Sequence, residues 1–232
     1  MAGGKGGTGK TVAATSIADY FCERKIPLAL VDCDLENQRR GGLSTFFHSA
    51  AKLTIRGERG MDELIDHLLE SAADSGLIDL GAGSGADTHK WFAAMGDSLD
   101  ELGIDLTLVT VITSSPAAIQ TLYDWASELK SRCKYVVVKN CRDGDTFPLL
   151  DDTETGATFL KLAKPSIIKL EKRASDIQAE LETRRLTVGQ ALAPDDRDIG
   201  TFLAKAVVRA RLRGYFNRIN AELDRVQGIL IP

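Results

Sequence analysis

Gly3-Gly4-Lys5-Gly6-Gly7-Thr8-Gly9-Lys10-Thr11 decides how the rest of the chain is read. Within it, Gly4, Gly9, Lys10 and Thr11 satisfy G-x-x-x-x-G-K-[ST], the spacing of a glycine-rich turn that binds phosphate. The chemistry lies in the backbone. Glycines let successive N–H groups curl around phosphate oxygens without Cβ clashes, and the helix that follows adds its positive N-terminal end. Residues 11–24 read as that helix and residues 26–31 as a strand after it. Lys10 is expected to reach the β- and γ-phosphates, and the Thr11 hydroxyl to ligate Mg²⁺. Gly4, Lys5, Gly6, Gly7, Thr8, Gly9, Lys10, Thr11 and Val12 are therefore candidate nucleotide-binding residues. The bland alternative is a glycine-rich flexible N-terminus.

A phosphate loop normally follows a buried central strand, yet only residues 1–4 precede Lys5. An unpaired gap in the middle of a parallel sheet would leave backbone groups unsatisfied on both sides. The expectation is therefore a chain whose first central strand is truncated, with the true start upstream.

The 232 residues are 44% hydrophobic and 27% charged, which suits one globular domain with a sizeable core. A net charge of −4 does not announce a nucleic-acid binder, so any basic surface must be local. No apolar run approaches the roughly 20 residues that span a bilayer, and no signal peptide is visible. A cytoplasmic location is expected. Cys22, Cys33, Cys133 and Cys141 form no C-x-x-C pair, and His48, His67 and His89 stand apart, which argues against a zinc site.

Helical and strand-like segments alternate along the chain, which predicts an α/β doubly wound sheet, largely parallel. The apolar run at residues 26–31 ends in Asp32-Cys33-Asp34, and the run Leu77-Ile78-Asp79-Leu80 ends in Gly81-Ala82-Gly83. Ligands in open α/β sheets sit beyond the carboxyl ends of the strands, so these aspartates arrive beside the phosphate loop. Residues 35–60 read as a polar, mobile connection, residues 61–73 as an amphipathic helix and residues 87–102 as another. Strands follow at 104–112, 135–138 and 165–170, with a short helix at 158–164. Asn140 closes the strand at 135–138. Its amide carries a donor and an acceptor, which suits the edge of adenine or, equally, a turn.

The stretch Lys5-Gly6-Gly7-Thr8-Gly9-Lys10-Thr11, followed by Asp32-x-Asp34 and the Asp79 strand end, resembles the ParA/MinD class of deviant phosphate-loop ATPases over nearly the whole chain. The resemblance implies that Lys5 reaches across a nucleotide-sandwiched homodimer to the partner's phosphates. It implies that Asp34 orients the attacking water, making Lys5, Lys10 and Asp34 the catalytic residues. Thr11, Asp32 and Asp79 become the metal residues, the aspartates acting through water, and Gly83 follows the γ-phosphate. Asn140 would contact the base. ATP and Mg²⁺ are the implied cofactors. Gly81 stands where the class commonly has proline in D-x-P-x-G.

Residues 197–227 read as one long arginine-rich amphipathic helix. Val208, Leu212, Tyr215, Ile219, Leu223 and Val226 form its apolar stripe, and Arg209, Arg211, Arg213 and Arg218 flank it. Three readings stay open: arginines snorkelling around a packed helix, nonspecific DNA binding, or contact with a membrane surface. The run Arg185-Leu186-Thr187, then Gln190-Ala191-Leu192-Ala193, and the helix reaching Gly214-Tyr215-Phe216 are similar to TraL-type ParA-like proteins of conjugative transfer systems. The implied function is a switch ATPase that positions or regulates DNA or a protein partner, in plasmid partition or conjugation. An ATP-dependent ligase or kinase on a related fold and a non-catalytic interaction protein are the alternatives.

Overall fold

The computed structural model describes residues 7–34, 42–81, 85–114, 118–193 and 199–231. The N-terminal half runs α1 (Lys10–Glu23), β1 (Ala29–Cys33), α2 (Leu43–Phe46), β2 (Ala51–Lys52), α3 (Gly57–Leu69), β3 (Gly76–Leu80), α4 (Gly85–Ala94) and α5 (Gly96–Glu101). The second half runs β4 (Thr107–Ile112), α6 (Ala118–Leu129), β5 (Lys134–Asn140), α7 (Pro148–Asp151), α8 (Glu154–Ala163), β6 (Ser166–Leu170), α9 (Ser175–Arg184), α10 (Val188–Leu192), α11 (Gly200–Ala204), α12 (Ala206–Asp224) and α13 (Gln227–Leu230). This is the α/β, parallel, helix-flanked architecture that the alternation predicts.

Among the described residues the strands form two three-stranded parallel sheets, ordered β2-β1-β3 and β4-β5-β6. Successive strand side chains point to opposite faces, and β5 shows the consequence. Val136 and Val138 join one apolar cluster with α1, α9, α10 and α12, whereas Tyr135 and Val137 join another with α3, α4, α6 and α8. Both clusters take residues from both sheets, so two helical layers cover them from either side. Helix α1 packs against β3 and β4 and thereby bridges the sheets. It starts at the phosphate loop, so this bridge fixes the loop over the strand ends.

Several boundaries depart from the sequence reading, each for a physical reason. β1 begins at Ala29 rather than Ile26, beyond Pro27, which can donate no ladder hydrogen bond, and it takes in Asp32. The stretch expected as a plain polar connection contains α2, β2 and the start of α3; β2 pairs with β1 through Val31↔Ala51 and Asp32↔Lys52. The helix expected at 87–102 is two helices, parted at Met95, with Phe92 and Leu99 both in the core. The helix expected over 197–227 is likewise divided. Lys205 takes an extended conformation (φ −60°, ψ 133°) between α11 and α12. At about 100° per residue, a continuous helix would put Leu203 roughly 140° away from Val208. The break lets both side chains be buried, and every residue of the stripe from Val208 to Val226 is buried as expected.

The C-terminal layer is locked to α1 by a polar latch. Thr187 caps α10 in a reciprocal pair with Gln190. Asp19 of α1 accepts from Thr187 Oγ1 at 2.6 Å and from Gly189 N at 2.8 Å. Burial pushes the Asp19 carboxyl up to about 6, against the pull of those two hydrogen bonds.

Candidate functional site

Gly7 and Gly9 hold positive φ, +79° and +92°, and Gly9 is the residue from which α1 starts. A Cβ on Gly9 would collide with Asn140 Nδ2, so glycine is required there for close approach as well as for φ. The turn delivers Lys10 and Thr11 to the first turn of α1. Lys10 is buried, and burial lowers its ammonium from the ordinary range while Asp79 and Asp34 raise it. Thr11 Oγ1 donates to Asp79 Oδ2 at 3.1 Å.

Three aspartates stand at the neighbouring strand exits. Asp32 and Asp79 are register partners across β1 and β3, and each is 0% exposed. Asp34, just past β1, is 3% exposed. A Cβ at position 81 would sit 3.1 Å from Asp34 Oδ1 and 3.3 Å from its Cα. Gly81, where the class commonly has proline, thus makes room for the Asp34 side chain.

The two opposed carboxylates are satisfied differently. Asp32 Oδ1 accepts from Asp34 N at 3.1 Å, and Oδ2 accepts from Ser44 N and Ser44 Oγ at 2.9 and 2.6 Å. Asp79 has Thr11 on Oδ2, but its buried Oδ1 has no hydrogen-bond partner among the described residues. Thr8 Oγ1 is in the same condition. Burial pushes the Asp79 carboxyl up to about 6, opposed by the Thr11 hydrogen bond and Lys10 and reinforced by Asp32.

The residues fit Mg²⁺ bound together with a phosphate ligand. Such ions take one or two carboxylates plus substrate phosphate oxygens rather than an all-protein cage. Asp79 with its orphaned oxygen and Thr11 with its hydroxyl are the groups available. Among the described residues no group of three or more His, Cys, Asp or Glu side chains is arranged to hold a metal by itself. Asp32 does bound work in the protein, anchoring α2, so any metal role for it would compete with Ser44.

Asn140 is brought to the loop. Its Nδ2 donates to Thr8 O at 2.9 Å and its Oδ1 accepts from Arg142 N at 3.1 Å. An amide has two donor hydrogens and an oxygen with two lone pairs, so one of each is spoken for by the protein. Beside Thr11, a cavity of about 490 Å³ opens between α1, α2 and α9, lined by Val12, Thr15, Phe46, Arg173, Gln178 and Leu186 among others. Its size falls in the range of about 300–1,000 Å³ usual for small-molecule sites. The expectations for Gly4, Lys5, Gly6 and Gly83 fall outside the described residues.

Ser44 and Arg142 were missed in the sequence. Ser44 carries no motif, and its contact with Asp32 spans twelve positions through an irregular segment. Arg142 follows a strand-end Asn by two residues, but its partner Gly7 lies 135 positions away, so no local pattern marks it. Of the C-terminal arginines, Arg209 is built into the packing, whereas Arg211, Arg213 and Arg218 are exposed. Arg209 donates to Ala191 O and Leu192 O at 3.0 and 3.2 Å, closing the C-terminal end of α10. Arg218 pairs with Glu171 at 2.7 Å and Arg211 with Asp176 at 3.9 Å. No helix of the described residues is long and apolar enough to cross a membrane.

Comparison with known proteins agrees with this geometry. Residues 1–224 match the CobQ/CobB/MinD/ParA nucleotide binding domain. The chain is 27% identical over 235 residues to a Protein TraL of Escherichia coli, covering 94% of this chain and 95% of that protein. It is 26% identical over 226 residues to a second Protein TraL of Escherichia coli, covering 90% and 92%. A glycine turn, a buried lysine and a threonine–aspartate pair thus lie inside a match that spans almost the whole chain, which belongs to the CobQ/CobB/MinD/ParA nucleotide-binding domain family.

Proposed function

We propose that the chain is a Mg²⁺- and ATP-dependent switch ATPase that works as a homodimer in the cytoplasm, hydrolysing ATP to ADP and phosphate in the service of conjugative transfer. The observation that carries the reading is the Lys10–Thr11–Asp79 cluster at the start of α1, with an Asp79 oxygen that has no hydrogen-bond partner among the described residues. Similarity to two proteins named TraL supports the setting in transfer. Arg209 serves packing while Arg211, Arg213 and Arg218 are exposed, so DNA and a protein both remain candidates for the regulated partner.

Hydrolysis on such a site is mostly positioning and charge neutralisation. The loop backbone would hold the phosphate chain, with Lys10 on its outer oxygens. Thr11 and Asp79 would hold Mg²⁺, which supplies charge neutralisation on the phosphates when bound. Asp34, nearly enclosed and close to Lys10, would orient the attacking water. Lys5 would act on the phosphates of the partner subunit. The cavity beside Val12 offers room for part of the nucleotide, and the remaining amide donor and acceptor of Asn140, which lies outside that lining, suit a base edge.

The test combines phosphate release with light scattering. Wild type should hydrolyse ATP and double its mass with Mg²⁺-ATP. Lys10→Ala should lose both, whereas Asp34→Ala should dimerise without hydrolysing. An Asp34→Ala protein that hydrolyses at the wild-type rate would remove the water-orienting role. Phosphate released without any added small substrate separates the switch from a ligase or kinase.

A further inference from the structure

We infer that Arg142, steered by Asp143, is a positioning residue that sets the phosphate loop for nucleotide, resting on the nucleotide-binding reading above. Arg142 Nη1 donates to Gly7 O at 2.7 Å, next to the Asn140 bond to Thr8 O at 2.9 Å. Two successive loop carbonyls are therefore drawn toward the turn that follows β5. A trans peptide is planar, with C=O and N–H on opposite sides. Gly7 C=O shares its peptide unit with Thr8 N–H, and Thr8 C=O shares its unit with Gly9 N–H. Pulling both carbonyls toward residues 140–142 turns both N–H groups the other way, as donors for phosphate.

The guanidinium is itself held. Its Nε and Nη2 donate to Asp143 Oδ1 and Oδ2 at 3.0 and 2.9 Å, a bidentate fork that leaves Nη1 for Gly7. An exposed ion pair of this kind adds little stability. Its value here is geometric, since a planar fork fixed at two corners aims the third. The Arg142 N–H on Asn140 Oδ1 ties the two clamps into one turn. Arg142 holds loop backbone, so it acts through the loop.

Calorimetric titration with Mg²⁺-ATP and Mg²⁺-ADP, steady-state kinetics and apoprotein melting test this on wild type, Arg142→Ala, Arg142→Lys and Asp143→Ala. A loop that holds its binding conformation only about a tenth of the time predicts roughly tenfold weakening in Arg142→Ala. It should be equal for ATP and ADP, fall on KM more than kcat, and leave the apoprotein melting point in place. Arg142→Lys should recover part of the affinity and Asp143→Ala should lie between. Wild-type affinity in Arg142→Ala, or an affinity loss matched by a fall in melting point, would overturn the clamp. The amide resonances of Gly7, Thr8 and Gly9 in nucleotide-free protein give a second, independent reading. They should shift and broaden in Arg142→Ala, and unchanged resonances would overturn the clamp alone. Absence of nucleotide binding by wild type would instead overturn the function reading.

Discussion

The exits of β1 and β3 lie side by side and bury an aspartate each, in direct register, yet they have been finished in opposite ways. At the β1 exit, Asp32 receives a backbone N–H on one oxygen and both the N–H and hydroxyl of Ser44 on the other. At the β3 exit, Asp79 receives one hydroxyl from Thr11 and leaves an oxygen with no partner among the described residues. A buried carboxylate is costly unless its lone pairs are used, so the first arrangement is self-sufficient and the second is not. The contrast separates a carboxylate that holds α2 against β1 from one that keeps an oxygen for a further partner, which on the proposed reading is a cation. Position at a strand end does not distinguish them; the donors around them do.

The largest effect should come from the unfinished side. Asp79→Asn removes the charge that would hold Mg²⁺ and should slow ATP hydrolysis by on the order of 10²–10³-fold, without lowering the apoprotein melting point. Wild-type hydrolysis in this variant would erase the distinction between the two exits.

Asp19 extends the comparison to a third buried aspartate, satisfied like Asp32 by a hydroxyl and a backbone N–H. Its folded-state value, about 6, lies above the ordinary 3.8. The folded form therefore keeps a proton that the unfolded chain has released between those values. Its contribution to stability is complete below about pH 4 and is lost as pH rises through about 6, a swing on the order of 3 kcal/mol. Chemical denaturation at pH 4–7 should show this fall together with the matching one from Asp79, and Asp19→Asn should remove about half of it. A flat wild-type curve would mean the latch does not hold the buried charge as described.

Asp32→Ala should cost stability rather than chemistry. Leaving the buried Ser44 donors without their acceptor costs about 1–3 kcal/mol, read as a lower urea midpoint. If the variant kept its stability and lost Mg²⁺-dependent hydrolysis, the roles of the two exits would be reversed. The smallest effect belongs to Arg209→Ala, which should lower stability by about 1–2 kcal/mol through the exposed end of α10 and leave ATP hydrolysis intact.

Much of this arrangement is legible in the chain. The loop spacing announces Lys10 and Thr11. Asp34, Asp79 and Asn140 stand at the ends of apolar runs, and parallel strands deliver such ends to one edge. The apolar stripe from Val208 to Val226 follows helical spacing, and every member is buried. What does not show in the sequence are partners chosen by tertiary register. Ser44 meets Asp32 through a four-residue helix too short to leave a period. Arg142 reaches Gly7 across 135 positions. The break at Lys205 comes from the angle between two buried side chains, with no Pro or Gly to mark it. Local pattern thus names the chemistry-bearing groups, and long-range packing decides which of them are already satisfied.

Titration of the wild-type protein with ATP, in millimolar Mg²⁺ and again in excess chelator, reads nucleotide and metal binding together. One ATP should bind per chain, markedly more tightly with Mg²⁺, and Asp79→Asn should lose that difference. No measurable binding in millimolar Mg²⁺, or binding indifferent to the metal in wild type, would contradict the proposed function.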